Sequence, residues 1–523
     1  MSQPARSAAG ILAPSDVRLL AAVRHGLKSH VSAEVVSEMA RTACEFSINL
    51  LDHVLARHMG LADILRKQIE RESGLLRRSA SLLREAGAID AGKSAAAIAV
   101  ADEANAQGLA LAELEALHLR IQTELEALVP GLDAARSGAS HPERQAAAKA
   151  IIKELVESER SAENAYRQAA AQRVQQFEDD AGGDGMIGQE ALESYLRQHF
   201  PGGEQAEVTS FRELPGGSSK ATILFDVKGL PEGDNVSLVA RLNRKAGSTD
   251  TTVLNEIETL NTMFECGLPV PELVWSEQDP GPLGAPFLIV RKVDGVLGGD
   301  MWQVDPEVCD ESTARDLARI LARIHTFDTS KPGFQGALKF PGTAHDHPMK
   351  ALLANIRGLL ASKKMYPTPA LESTLCWLEA NIPPAAKPAL VHADVSFHNI
   401  MVKDKKVSCL LDWELSHIGD PIEDLSYVRL CIEQLMPWDE FLAEYQKHGG
   451  GAYSDEVGEY YRVWRDARNS VYTVVADHSF HSGANLDLRW GFFGTYLRGV
   501  TLEAAERVLS LDKAATPTGS QKA

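Results

Sequence analysis

The run EDDAGGDGMIG, Glu178 to Gly188, separates two stretches of chain with different apolar periods. Before it, from about Asp16 to Phe177, apolar residues recur at three- and four-residue steps, as in VRLLAAVRHGLKSHV, EVVSEMARTACEFSINLLDHVLARHM and LALAELEALHLRIQTELEALV. That spacing lines one face of a helix, so four to six helices in a bundle are expected, with breaks at Gly60, Gly74, Pro130-Gly131 and residues 137–143. The acidic, Gly-rich run holds neither helix nor strand well and marks a linker. After it come one helix, QEALESYLRQHF, and the strand-like pieces ATILFDV, VSLVARL and PFLIVRKV. Helices return from about Ser312 and continue to about Leu511. The chain reads as α+β. An all-α helical bundle covers 1–180, a linker 181–188, a small β-sheet plus helix 189–295, a mostly helical lobe 296–511 and a disordered tail 512–523.

A chain of 523 residues exceeds what one hydrophobic core supports, in line with this division. The formal net charge of −19 argues against nucleic acid as a partner, because neutralising phosphates needs clustered Lys and Arg. Cys44, Cys266, Cys309, Cys376, Cys409 and Cys431 are scattered without a CxxC pair, which suits reduced thiols in the cytoplasm rather than a disulfide framework or a zinc site. The opening MSQPARSAAGILAPSDV lacks the apolar core of a signal peptide, and no run of eighteen apolar residues occurs, so no membrane partner is expected. The N-terminal helices could pair two copies as a homodimer, dock another partner or cover a substrate site. Scattered His25, His30, His53, His58 and His118 read as surface or structural residues.

The densest chemistry lies in VHADVSFHNIMVKDKKVSCLLDWE, Val391 to Glu414. IMV and VSCLL flank a KDKK turn and form a β-hairpin. The loop before a hairpin and the end of its second strand lie close in space, so Asp394, Asn399 and Asp412 converge although nineteen residues contain them. Two carboxylates and an amide oxygen at one point suit a hard cation such as Mg²⁺, held by Asn399 and Asp412. A carboxylate left free of the metal, Asp394, can accept a hydroxyl proton.

The form HADVSFHN followed by LLDWE and SHIGDPIEDLSYV resembles the aminoglycoside phosphotransferase and choline kinase families, closest to the branch fused to acyl-CoA dehydrogenases. The resemblance covers about Met186 to Leu511. It implies a bilobal protein-kinase-like fold and transfer of the γ-phosphoryl group of ATP, with Mg²⁺, to a hydroxyl of a small molecule. It also implies further parts. PGGSSK supplies a Gly-rich phosphate turn, Gly216, Gly217, Ser218 and Ser219, with Lys220 where Asn is usual. VSLVARLN places Val239 and Arg241 on one strand face, Arg241 standing where the usual pattern has Lys, and Lys220 is able to share its role. Glu256, with Glu258 as rival, is the helix carboxylate that orients the cation. Backbone groups near Arg291 to Val293 would meet adenine.

Within that resemblance, His392 braces the catalytic loop, Asp420 and Asp424 tie down backbone, and Glu414 approaches a second metal through water. The segment YYRVWRDARNSVYTVVADHSFHSG mixes aromatics with Arg465 and Arg468, favouring a small alcohol or hydroxyacyl-CoA over an aminoglycoside as acceptor. Adenylyl or protein-kinase transfer on the same scaffold, or a non-catalytic nucleotide-binding scaffold, are the competing readings.

Overall fold

The structure is a computed structural model that describes residues 38–103, 108–138, 141–174, 188–214, 220–231, 233, 235–243, 252–279, 283–300, 303–329, 347–364, 367–384, 386–481 and 498–514. The expected helix at Val17–Val31 and the Gly-rich turn at 215–219 lie outside these residues.

Among the described residues, the N-terminal bundle holds four helices: α1 (Glu38–Glu85), α2 (Ala91–Asp102), α3 (Leu111–Ser137) and α4 (Pro142–Val174). Their buried stripe, including Ile69, Leu76, Leu83, Ile121, Leu125 and Ile152, is the helical period read from the sequence. The breaks expected at Gly60, Gly74 and Pro130-Gly131 do not occur, since α1 and α3 run straight through them. Burial of Leu125, Leu128, Val129 and Leu132 around Pro130 outweighs the roughly 3 kcal/mol a mid-helix proline costs. At Gly131 a Cβ would stand 3.0 Å from Leu83 Cδ1, so the missing side chain lets α3 approach α1. His118 is no bare surface group: its Nε2 lies 3.1 Å from the buried Glu72 carboxylate, to which Gln68 and Gln122 also donate.

Beyond α5 (Gln189–His199), the strands β1 (Glu207–Glu213), β2 (Lys220–Lys228), β3 (Val236–Asn243), β4 (Leu273–Glu277) and β5 (Phe287–Arg291) build an antiparallel sheet in the order β1-β2-β3-β5-β4. Strict alternation along β3 buries Val236, Leu238, Ala240 and Leu242 under α5, leaving Val239 and Arg241 on the other face. Thr222 pairs with Arg241 and Lys220 with Asn243, so Lys220 and Arg241 share that second face. The short helix α6 (Ile257–Glu265) packs there.

The helical lobe holds β6 (Val296–Leu297), α7 (Glu311–His325), α8 (Pro348–Lys363), α9 (Pro369–Ala380), β7 (Ala389–Val391), β8 (Ile400–Lys403), β9 (Lys406–Leu410), β10 (His417–Gly419), α10 (Ile422–Ile432), α11 (Trp438–Lys447), α12 (Asp455–His481) and α13 (Arg498–Ala514). Its largest apolar cluster joins α7, β8, α10 and α11 around Phe397, Trp413 and Phe441. Helix α13 runs three residues into the stretch read as a tail, and 515–523 lie outside the described residues. No described helix is long and apolar enough to cross a membrane.

The bundle docks on this lobe. Arg160 donates Nε and Nη2 to the two oxygens of Glu506 at 2.8 and 2.9 Å. Glu126 accepts from the Thr368 backbone at 2.8 Å, and Val156, Ala370, Leu502 and Ala505 close an apolar patch between them.

Two outcomes follow for stability. The space beside Gly74 is open, so Gly74→Ala should raise the unfolding free energy by roughly 0.5–1 kcal/mol, read as a higher midpoint in denaturant. Glu506→Arg should lower the melting temperature, and adding Arg160→Glu should recover most of that loss. Equal melting of the single and double variants would remove the docking pair from the account.

Candidate functional site

The site is assembled where the sheet face carrying Arg241 meets the hairpin β8-β9. Asp404 and Lys405 turn that hairpin with φ of 51° and 61°, the left-handed pair whose twist matches antiparallel strands. Residue 399 ends a short 3-10 turn just before β8, and Asp412 follows β9 by two residues. The Leu411 amide donates to the Asn399 carbonyl at 2.8 Å, which fixes the two ends of the hairpin side by side. Asn399 Nδ2 donates to Asp394 Oδ2 at 2.8 Å and to the Asp394 carbonyl at 3.1 Å.

A charge network spans the sheet and the hairpin. Arg241 Nη1 donates to Glu256 Oε2 at 2.7 Å, and its Nη2 donates to Asp412 Oδ1 at 2.7 Å. Lys220 Nζ lies 2.7 Å from Glu414 Oε2, with both side chains nearly buried. Glu256, Asp412 and Glu414 each present one carboxylate oxygen within 4.8 Å of the others. Burial pushes the Glu256 carboxyl up, as do Asp412 and Glu414, against the pull of Arg241. Burial also works against the charge on Arg241, but Asp412 and Glu256 overcome it and raise the guanidinium further.

Of the two carboxylates weighed for Arg241 in the sequence, Glu256 is the one in contact, while the Glu258 side chain lies outside the described atoms. Glu414, read as reaching a second metal through water, faces Lys220 and also presents an oxygen to Glu256 and Asp412. Arg291 is held at the end of β5, where its amide donates to the Glu272 carbonyl at 2.9 Å and its Nε to Glu272 Oε2 at 2.6 Å. The Lys292 amide donates to the Ser237 carbonyl, and Val293 follows half-buried on the way to β6. Gly216, Gly217, Ser218 and Ser219 belong to the stretch outside the described residues; the strands flanking it, β1 and β2, pair in antiparallel register.

The loop bearing Asp394 is pinned from below. Asp424 on α10, fully buried, accepts the His392 amide at 2.9 Å and the Ala393 amide at 2.7 Å. His325 approaches the same carboxylate at 3.1 Å and Tyr445 at 2.8 Å. Burial alone would raise Asp424, but His325 and His392 hold it below the usual carboxylate range. The His392 ring accepts from the Asp394 amide through Nδ1 and faces the Leu411 carbonyl at 2.9 Å through Nε2, and it packs at a tilt against Trp413. Asp420 accepts the Ile422 amide and caps α10.

Burial would push the Asp394 carboxyl up, yet His398, Arg468 and the Tyr427 hydroxyl outweigh it and keep the group well below its ordinary range. His398 Nε2 stands 3.7 Å from Asp394 Oδ2, and although burial lowers this imidazole, Asp394 together with Asp412 and Asp300 raises it overall. Asp394 is therefore an ionised acceptor at neutral pH. Its contacts with Tyr427 and His398 escaped the sequence reading. Tyr427 comes from α10, more than thirty residues on, and no spacing in the chain links the two.

Removing the acceptor beneath the loop tests this anchoring. Asp424→Ala should lower the unfolding free energy by about 2–4 kcal/mol, because two buried amides lose their partner. Denaturant melts would show it; a change below about 0.5 kcal/mol would overturn the assignment.

Residues 210–463 match the model of the phosphotransferase enzyme family known as APH. Acyl-CoA dehydrogenase family member 11 of Gallus gallus is 27% identical over 257 residues, covering 46% of this chain and 30% of that protein. Acyl-CoA dehydrogenase family member 10 of Mus musculus is 26% identical over 186 residues, 35% of this chain and 17% of that protein. The chain thus spans less than a third of the length of these relatives. Among solved structures, the macrolide 2'-phosphotransferase MphH of Brachybacterium faecium aligns at a TM-score of 0.40 with 16% identity, over 58% of this chain and 97% of that one. The segment that matches the family model contains Arg241, Glu256, Asp394, Asn399 and Asp412.

Proposed function

We propose that this chain transfers the γ-phosphoryl group of ATP to a hydroxyl of a small molecule. The observation that carries the reading is the pair of contacts at the two ends of one hairpin: Asp394 with Asn399, and Asp412 with Arg241 and Glu256. The reading keeps the proposed division into a bundle to 180, a linker, a sheet lobe from 189 and a helical lobe from 296.

Asp394 orients the acceptor hydroxyl and takes its proton. Its ionised state at neutral pH suits a hydrogen-bond acceptor. The donor set is all oxygen, and Glu256 keeps a buried Oε1 with no hydrogen-bond partner, so the residues suit a hard divalent cation. Asn399 and Asp412 would hold Mg²⁺, which when bound neutralises charge on the phosphates. Arg241 and Lys220, on one sheet face beside the 216–219 turn, are the cations for the phosphates, and Arg291 to Val293 lie where adenine would meet backbone.

For the acceptor we favour a small alcohol or a hydroxyacyl-CoA over an aminoglycoside. Two buried arginines, Arg465 and Arg468, lie against Tyr427 beside Asp394, a setting that disfavours a polycation. The curated relatives are acyl-CoA dehydrogenases by name, which agrees with an acyl substrate. Six free thiols fit a reducing cytoplasm.

Asp394→Asn should lower phosphoryl transfer by about 10²–10⁴-fold with a melting temperature close to the parent, and Asp412→Ala should reduce transfer at least as far. ADP release and product mass across alcohols, hydroxyacyl-CoAs and aminoglycosides provide the readout. Full turnover by Asp412→Ala would sink the metal assignment. A parent protein with no ADP release and no Mg²⁺-dependent thermal shift by ATP would favour a scaffold instead.

A further inference from the structure

Ala393, immediately before Asp394, has φ of 67°. A residue with a Cβ in the left-handed region costs on the order of 1 kcal/mol and persists only where its surroundings over-determine it. Asp424 supplies half of that restraint by accepting the Ala393 amide. The other half reaches in from α12, where Arg468 Nη2 donates to the Ala393 carbonyl at 2.9 Å. The strained residue is thus gripped by both of its backbone polar groups, from two different helices.

Arg468 is an expensive way to do this. It is 3% exposed, and its Nε has no hydrogen-bond partner. Its charge is balanced at a distance, with Nη1 3.6 Å from Glu423 Oε1. Glu423 is itself held in place by Trp464 Nε1 at 2.9 Å and by His417 Nε2 at 3.1 Å. A buried guanidinium with one unmet donor adds little to stability, and an apolar residue of similar volume is often neutral or better there. The cost is spent at the carbonyl next to Asp394. Arg468 lies five residues beyond the segment that matches the family model, so the matched domain does not contain it.

We propose that Arg468 is a positioning residue, holding the Ala393–Asp394 peptide so that the Asp394 carboxylate faces the acceptor, with Glu423 setting the reach of its guanidinium. This rests on the phosphotransferase reading for the identity of the acceptor-facing group, but the backbone restraint stands apart from it.

The test uses the full chain with Arg468→Met, Arg468→Lys and Ala393→Gly. A crystal structure of Arg468→Met should show Ala393 out of the left-handed region and the Asp394 carboxylate turned from Asn399. Ala393 kept at φ near 67° in that variant would overturn the proposal whether or not the protein transfers phosphate. In ADP release with the acceptor that supports the parent, Arg468→Met should lower kcat by about 10- to 100-fold. KM for ATP should stay within about twofold, because only the geometry of Asp394 changes. Arg468→Lys should recover part of the loss. In an Ala393→Gly background the loss from Arg468→Met should shrink at least about fivefold, since glycine adopts the left-handed region without help. An equal loss in both backgrounds, or a change confined to the acceptor KM, would overturn the positioning role. A parent that releases no ADP would fail the phosphotransferase reading alone, and the crystal structure would still decide the restraint.

Discussion

One buried carboxylate organises the helical lobe. Asp424 accepts two consecutive amides, those of His392 and Ala393, and faces His325 from α7. A carboxylate with no exposure is tolerable only when its lone pairs are filled, and these contacts fill them. The consequence is geometric. Strand β7 must end above α10, the loop must reverse at Ala393, and Asp394 must emerge on the far side, where Asn399 meets it. His325 carries the same restraint to α11 through Tyr445. Displacing any one of these elements would strand a buried polar group.

The sheet lobe is coupled to this frame mainly by charge. Lys220 and Arg241 hang from one face of β2 and β3 and meet Glu414 and Asp412 from the hairpin end, with Glu256 behind. Three carboxylates face two cations in a nearly dry space, so the balance is left open for another positive group. That imbalance and the unpartnered oxygen of Glu256 agree with a cation and phosphates completing the network. The side chains proposed to bind the nucleotide therefore also join the sheet lobe to the hairpin.

The bundle belongs to the helical lobe in its contacts. Arg160, Glu126 and the patch around Leu502 bind α3 and α4 to α9 and α13, on elements away from the hairpin. The docking brings partly buried ion pairs and small apolar residues together, a mixture typical of interfaces between domains of one chain.

The periods of three to four residues in the first third and of two in VSLVARLN made the helices and the sheet faces legible, because burial on one face leaves that imprint in any chain. The hairpin spacing between Asn399 and Asp412 was legible for the same local reason, while the bracing by His392 and Asp424 was implied by the resemblance of the motifs. Glycine and proline were poor guides in α1 and α3, where long-range packing overrode local propensity at Gly74 and Pro130. What the sequence alone determined was the set of local elements and the chemistry they carry. The pairing of Arg241 with Glu256 was already implied by the motifs, whereas which cation meets which hairpin carboxylate, Lys220 with Glu414 and Arg241 with Asp412, was decided only when the lobes met. The grip of Arg468 on Ala393, seventy-five residues away, was decided there as well. Such contacts depend on where whole elements stand in space, and a single sequence carries no periodic trace of that.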